Sequence, residues 1–326
     1  MSYLSTNNLS IGYTQKSHET VILENLNLNL HRGSLVALLG ANGAGKSTLL
    51  RTITAVQTPL HGSVEIAGVD IFKLTQRERS RLIGIVNTDR VMAGALTVNE
   101  MVALGRQPYT GFLGRLSTHD KDIVEQALAD AGIAHKSNCY VSQLSDGERQ
   151  KAMIAKALAQ KTPIIILDEP TAFLDVASRF ETMRLLHDLA HNANKAILLS
   201  SHDISQSLLL ADYVWAISSD KQLTEGNTED LILNGSIDRL FDSQALRFNR
   251  LTSDFETVLP HSATASLHCN DAQLHHCISN ALIRNGVAIE SNASLQIVVS
   301  DAAHIALNGK MLHSVGELAS EIRKLK

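Results

Sequence analysis

The 326 residues, 44% hydrophobic and 19% charged, suit a globular protein with a sizeable core, as one large domain or a main domain with a smaller companion. A net charge of -4 leaves no electrostatic footprint for nucleic acid. Cys139, Cys269 and Cys277 lack framework spacing and suit a reducing cytoplasm, and neither a signal-peptide pattern nor an apolar run of ~18 residues is visible, so a soluble protein is expected.

Along the chain, alternation in "VILENLNLNL" (Val21–Leu30) predicts a strand-rich N-terminal region. "SLVALLG" (Ser34–Gly40) is continuously apolar instead, which predicts a strand buried on both faces of a mostly parallel, helix-covered sheet. It runs into "GANGAGKS" (Gly40–Ser47) and then a helical "TLLRTITAV", matching G-x-x-x-x-G-K-[ST] in its strand–loop–helix setting. Gly40, Gly43 and Gly45 let backbone N–H groups turn inward around phosphate oxygens. Lys46 would reach the β- and γ-phosphates, and the Ser47 hydroxyl would bind magnesium. The alternative, a glycine-rich turn with a solvated lysine, does not explain the flanking context.

Between Thr97 and Leu144 the period becomes helical, in "TVNEMVALGRQ" and in "STHDKDIVEQALADAGI", which Ser117 or Thr118 caps and Gly132 ends. "LSDGERQ" (Leu144–Gln150) reads as an ordinary capped helix start, with Ser145 and Glu148 forming a capping box; a helix N-terminus is also an anion site. The next buried strand, in "PIIILDE", ends on Asp168 and Glu169, where open α/β sheets bind ligands. Asp168 would hold magnesium and Glu169 would act as general base on the attacking water, although two acids can also simply cap the turn "DEPT". His202 ends a third buried strand, in "KAILLSSHD", and its place at the same sheet edge singles it out from the other histidines as a γ-phosphate contact.

"EGNTEDLIL" (Glu225–Leu233) reads as a turn into a short helix. From about Asp254 a strand, the helix "NDAQLHHCISNALIRNG", strands around "LQIVVS" and "HIALNG", and a helix capped by Ser314 and Glu317 predict a small α+β appendage over 250–326. Its His268, Cys269, His275, His276 and Cys277 fit no standard zinc spacing, and adjacent helical residues point to different faces, so a structural or solvated role is expected for them. Regulation or dimer support is the job expected of this appendage.

With "GANGAGKS", "LSDGERQ", "IIILDEP", "AFLD" and "SSHD" in this order, residues 2–240 resemble an ABC-type ATPase. The resemblance implies a P-loop cassette with a mostly parallel core sheet, an antiparallel N-terminal β region and a helical subdomain at about 97–150. It implies ATP and magnesium as cofactors, with Asn42 and Thr48 joining the cradle. It also implies a homodimer in which Ser145, Gly147 and Glu148 meet the nucleotide held by Lys46 and Ser47 of the other copy. Tyr13, in "SIGYTQ", resembles the aromatic that stacks on adenine, and Asp175, in "AFLD", the loop that couples the two sites. Permease subunits in the membrane and, through them, an external substrate-binding protein are the implied partners, so the chain is expected in the cytoplasm, peripheral on the inner face of the membrane.

Three positions depart from the family pattern. Ala172 replaces a serine, so one intersubunit hydrogen bond is expected to be missing. Asp146 replaces the second signature glycine and brings a negative charge toward triphosphate, expected to weaken binding. Thr88 replaces a glutamine that touches magnesium and the permease, and its shorter reach puts direct metal contact in question. "LTVNEMVALGRQPYTGFLGRL" (Leu96–Leu116) resembles the entry to the helical region in ATPases of iron–siderophore, haem and cobalamin importers. Against this importer reading stand a soluble ABC-type machine acting on nucleic acid, which usually carries tandem cassettes or a long coiled-coil insertion, and a non-hydrolytic regulatory cassette, which intact Lys46, Asp168, Glu169 and His202 argue against.

Overall fold

A computed structural model describes residues 2–15, 18–87, 95–111 and 114–325. The chain divides into two compact units, Met1–Asp242 with Phe248–Asp254, and Ser243–Arg247 with Phe255–Lys326.

In the first unit the continuously apolar runs are the inner strands of a six-stranded sheet. Its order is Leu223–Asn227, Tyr213–Ile217, Ser34–Gly40, Ala196–Ser200, Ile164–Leu167, Ile83–Val86, and all but the first of these strands run parallel. Ser34–Gly40, Ile164–Leu167 and Ala196–Ser200 are buried throughout, which is why their sequences do not alternate. A second, antiparallel sheet contains Ser2–Gln15, His18–Leu26, Asn29–His31, His61–Ile66 and Val69–Asp70. Its buried Leu4, Leu9, Ile11, Leu23 and Val64 share one core with Val36, Leu38, Ile166 and Leu198 of the parallel sheet. The fold is thus the mixed α/β cassette expected from the sequence.

Register matters for function. Leu38 pairs with Ser200, Leu167 with Leu199, and Val86 with Leu167, so the C-terminal ends of the strands before the glycine loop, before Asp168 and before His202 reach the same edge. Ala196–Ser200 lies between the other two.

The helical region contains Val98–Ala103, Thr118–Asp130 and Asp146–Ala159, each opening on a capping box: Thr97 with Glu100, Ser117 with Asp120, Ser145 with Glu148. Buried Arg106 ties these helices together. Its Nε donates to Asp120 Oδ1 at 2.9 Å, its Nη1 donates to the Ala159 carbonyl at 2.8 Å, and its guanidinium lies 4.1 Å from the centre of the Tyr109 ring. Gly105 is needed beside it, since a Cβ there would stand 2.3 Å from the Lys156 carbonyl oxygen. The Ser117 hydroxyl and amide, then Arg106, hold the Asp120 carboxyl down at about 2. Because the folded value lies below the unfolded one of 3.8, the stabilisation is complete above pH 3.8 and is lost as pH falls through about 2. Arg106→Ala leaves the buried Asp120 carboxylate without its ion-pair partner, with only the Ser117 bonds remaining, and is expected to cost ~3–5 kcal/mol in urea denaturation at neutral pH. A loss under ~1 kcal/mol would show that this ion pair is not holding the helices.

The second unit has a five-stranded sheet in the order Val287–Ile289, Ala263–Cys269, Leu295–Asp301, His304–Leu307, Lys310–Leu312. Its helices Ala272–Arg284 and Val315–Lys324 bury Ile278, Leu282, Leu318 and Ile322 against Ala265, Ile297, Val299 and Ile305 of the sheet. No group of three or more His, Cys, Asp or Glu side chains able to hold a metal occurs among the described residues.

Candidate functional site

The glycine loop leaves the buried strand at Gly40 and enters the helix Lys46–Ile53 through Gly45. Gly45 has φ +113°, and a Cβ there would meet Ile22 Cγ2 at 2.6 Å, so any other residue would be strained and would have to displace the Ile22 side chain. Gly43 also has positive φ, +77°, with nothing within 4 Å of where its Cβ would be. The loop is curled with its backbone presented to open space on that side, the form a phosphate cradle needs.

Lys46 is 6% exposed, and its ammonium donates to the carbonyls of Gly40 at 2.7 Å and Ala41 at 3.2 Å. Burial lowers its pKa, while the nearby carboxylates of Glu169 and Asp168 raise it. These residues, far apart in sequence, therefore share one electrostatic environment.

A cleft of about 670 Å³ is lined by Tyr13, Ser47, Arg51, Gln57, Asn87 and Asp168, among others. The Tyr13 ring is 43% exposed on its wall, and the Tyr13 hydroxyl is 2.9 Å from Thr48 Oγ1, a bond that holds the ring beside the start of the Lys46 helix. Ser47 and Asp168 both line this cleft and offer hard oxygen donors, the set suited to magnesium.

Asp168 and Glu169 follow the strand Ile164–Leu167 directly. The Asp168 amide donates to the Val86 carbonyl at 3.0 Å, tying the residue to the strand on one side. Ser200, on the other side, donates its hydroxyl to Asp168 Oδ1 at 2.6 Å and accepts the Glu169 amide at 2.9 Å. Glu169 has φ +48°, an uncommon conformation for a residue with a side chain, and its Oε1 lies 2.5 Å from His202 Nε2. Pairing of Glu169 with His202 is decided by the sheet. Both follow adjacent strands, and the strand order cannot be read from either motif alone.

Ser145 caps the helix Asp146–Ala159: the Glu148 amide donates to Ser145 Oγ at 3.2 Å and the Ser145 amide donates to Glu148 Oε2 at 3.0 Å. Ser145 is exposed, and its bonds, like those of Glu148, run within the cap, apart from the ion pair of Glu148 with Lys136 at 3.1 Å. Gly147 is buried against the start of the next helix, where a Cβ would meet Ser178 Oγ at 2.7 Å. Asp175 caps that helix, Val176–Asn192, by accepting the Ser178 amide at 2.8 Å. That bond, first among its interactions, holds the Asp175 carboxyl below the usual range.

The charge at Asp146 is not left bare. Arg149, one turn on, donates to Asp146 Oδ1 at 2.7 Å and to the Leu144 carbonyl at 3.0 Å. The local field is therefore smaller than the substitution alone implies. Thr88 lies outside the described residues, while its neighbour Asn87 lines the cleft.

Sequence reasoning passed over Ser200, although it carried a signal: a hydroxyl closing the otherwise aliphatic strand Ala196–Ser200. It also passed over Arg149, which is i+3 to Asp146 and was legible as a local pair.

Comparisons agree with this geometry. Residues 23–172 match the family model described as ABC transporter. An uncharacterised ABC transporter ATP-binding protein of Methanocaldococcus jannaschii is 38% identical over 253 residues, 78% of this chain and 86% of that protein. An iron(3+)-hydroxamate import ATP-binding protein of Bacillus subtilis is 32% identical over 274 residues, 84% of this chain and 99% of its own length. A dimeric bacterial ABC transporter cassette superposes with a TM-score of 0.58 and 28% identity, over 69% of this chain and 98% of that one. With the cradle, the signature helix and the Asp168–Glu169 pair assembled on this fold, the chain belongs to the ABC transporter family, as one of its ATP-binding, ATP-hydrolysing proteins.

Proposed function

We propose that the protein is the ATPase subunit of an importer, working as two identical copies beneath permease subunits. The observation that carries this reading is that Ser47 and Asp168 line one cleft, with Glu169 tied to Asp168 through Ser200 and His202 2.5 Å from Glu169. Gly40, Asn42, Gly43, Gly45, Lys46, Ser47 and Thr48 hold the triphosphate, chiefly through backbone N–H groups and the lysine, and Tyr13 stacks on adenine. Ser47 and Asp168 hold magnesium, which when bound neutralises phosphate charge; Thr88 is a further contact proposed from its place in the sequence. Glu169 takes the proton from the attacking water, while His202 orients Glu169 and hydrogen-bonds the γ-phosphate.

Ser145, Gly147 and Glu148 serve the nucleotide on the second copy, and Asp175 couples the two nucleotide sites. Exposure of Ser145, with the bonds of its cap satisfied locally, supports this arrangement, since a capped helix N-terminus remains an anion site. The solved cassette similar to this chain is a dimer, which supports the pairing.

The cargo class we propose is an iron–siderophore, haem or cobalamin chelate, delivered to the permease by an external binding protein. Support comes from the import role named for the Bacillus subtilis relative and from the Leu96–Leu116 stretch. No helix among the described residues is long and apolar enough to cross a membrane, so attachment to the inner face is proposed through the permease.

Reconstitution tests the reading. The chain and the membrane protein that co-purifies with it are placed in proteoliposomes, and ATP turnover is compared with that of the chain alone. A several-fold rise on addition of binding protein loaded with a metal chelate is expected. Turnover unchanged by any co-purifying membrane protein would overturn the importer assignment.

A further inference from the structure

We infer that Ser200 is a positioning residue for magnesium–ATP, fixing the Asp168 carboxylate and the Glu169 backbone together through one hydroxyl; this rests on the site reading above. Ser200 is fully buried at the end of the strand between the cradle strand and the Asp168 strand. Its hydroxyl has one proton to give and lone pairs to receive. The proton goes to Asp168 Oδ1 over 2.6 Å, the length of a charge-assisted bond, and the oxygen receives the Glu169 amide over 2.9 Å.

Its neighbour behaves differently. Among the described residues the Ser201 hydroxyl bonds to Asp203 alone, in its own loop, as an ordinary turn serine does, while its amide continues the strand pairing to the Leu38 carbonyl. Ser200 crosses to another strand. Together with the Asp168 amide bond to Val86 on the far side, it pins Asp168 from both neighbouring strands. It also anchors the N–H of Glu169, whose φ of +48° persists only where the surroundings over-determine it. One side chain thus sets two groups: the carboxylate proposed to hold the metal and the backbone that carries the proposed base.

The full-length chain with Ser200→Ala tests this. Equilibrium binding of a fluorescent ATP analogue is measured in EDTA and in magnesium, beside kcat, KM, half-saturating magnesium and Tm. A folded variant should bind the analogue in EDTA within about twofold of the parent, because the cradle does not depend on Ser200. Its gain in affinity from magnesium and its kcat should each fall roughly tenfold, the scale of a lost hydrogen bond to a charged group. Half-saturating magnesium should rise with them.

Should Ser200→Ala not fold, Ser200→Cys, close in volume but a weak donor, makes the same comparison. An unchanged magnesium response, or an equal loss with and without the metal, overturns the inference. A parent protein whose binding ignores magnesium would overturn the site reading itself, which separates the two failures.

Discussion

Glu169→Gln is expected to lower ATP turnover by roughly 10²-fold or more while leaving ATP binding in place, the range for loss of a general base. The substitution keeps the shape of the side chain and removes its ability to take a proton. The contact with His202 Nε2, at 2.5 Å in the parent, can be retained by the amide, so the local geometry should hold. Lys46 loses one of the two carboxylates that raise its pKa, but Asp168 remains and the phosphates of bound ATP supply further negative charge beside the ammonium. Binding by the cradle should therefore persist. With hydrolysis blocked, ATP stays in the composite sites, and a stable ATP-bound dimer should appear on size exclusion. Single-turnover hydrolysis and binding isotherms read the two effects separately. Near-normal turnover would mean that another group activates the water.

Ser145→Arg is expected to reduce hydrolysis to background while monomer affinity for ATP stays nearly that of the parent. Loss of the cap costs about 1 kcal/mol, too little to unfold the cassette. The arginine instead puts a long side chain where the other copy's nucleotide is proposed to approach. Mixing this variant with Lys46→Ala makes the argument quantitative. In the mixed dimer, the intact cradle of the Ser145→Arg chain faces the intact signature of the Lys46→Ala chain, and the second site has both defects. At most one of two composite sites is restored, so activity should return, but to no more than about half per dimer. Loss of ATP binding by the isolated Ser145→Arg monomer would show that the signature helix serves its own chain's nucleotide.

The same helix start shows how two readings of one motif can coexist. Ser145 and Glu148 satisfy each other's amides, as an ordinary capping box does, and the exposed cap still presents the positive end of a helix. Neither fact excludes the other.

What the sequence by itself determined were features whose causes lie within a few residues. Gly43, Gly45, Lys46 and Ser47 occupy one strand–loop–helix step whose spacing is legible in the sequence, because positive φ at Gly43 and Gly45, with a crowded Cβ position at Gly45, favours glycine there. The capping box at Ser145 and the caps at Ser117 and Ser314 depend only on i and i+3, although the box expected at Ser314 is half made, because Glu317 Oε2 accepts the His313 amide at 2.8 Å and not that of Ser314. The central strands were legible because burial on both faces leaves no polar alternation. Tertiary structure alone decided what depends on strand order, register and helix packing. Local spacing cannot tell that Ala196–Ser200 runs between the cradle strand and the Asp168 strand, so it could not bring Ser200 to Asp168 or His202 to Glu169. Nor could it bring Arg106 to Asp120 and the Ala159 carbonyl, a contact made only once three helices pack. The physical reason is the same in each case: side-chain chemistry follows from residue type, whereas its partner follows from which chain segments the buried apolar surface brings side by side.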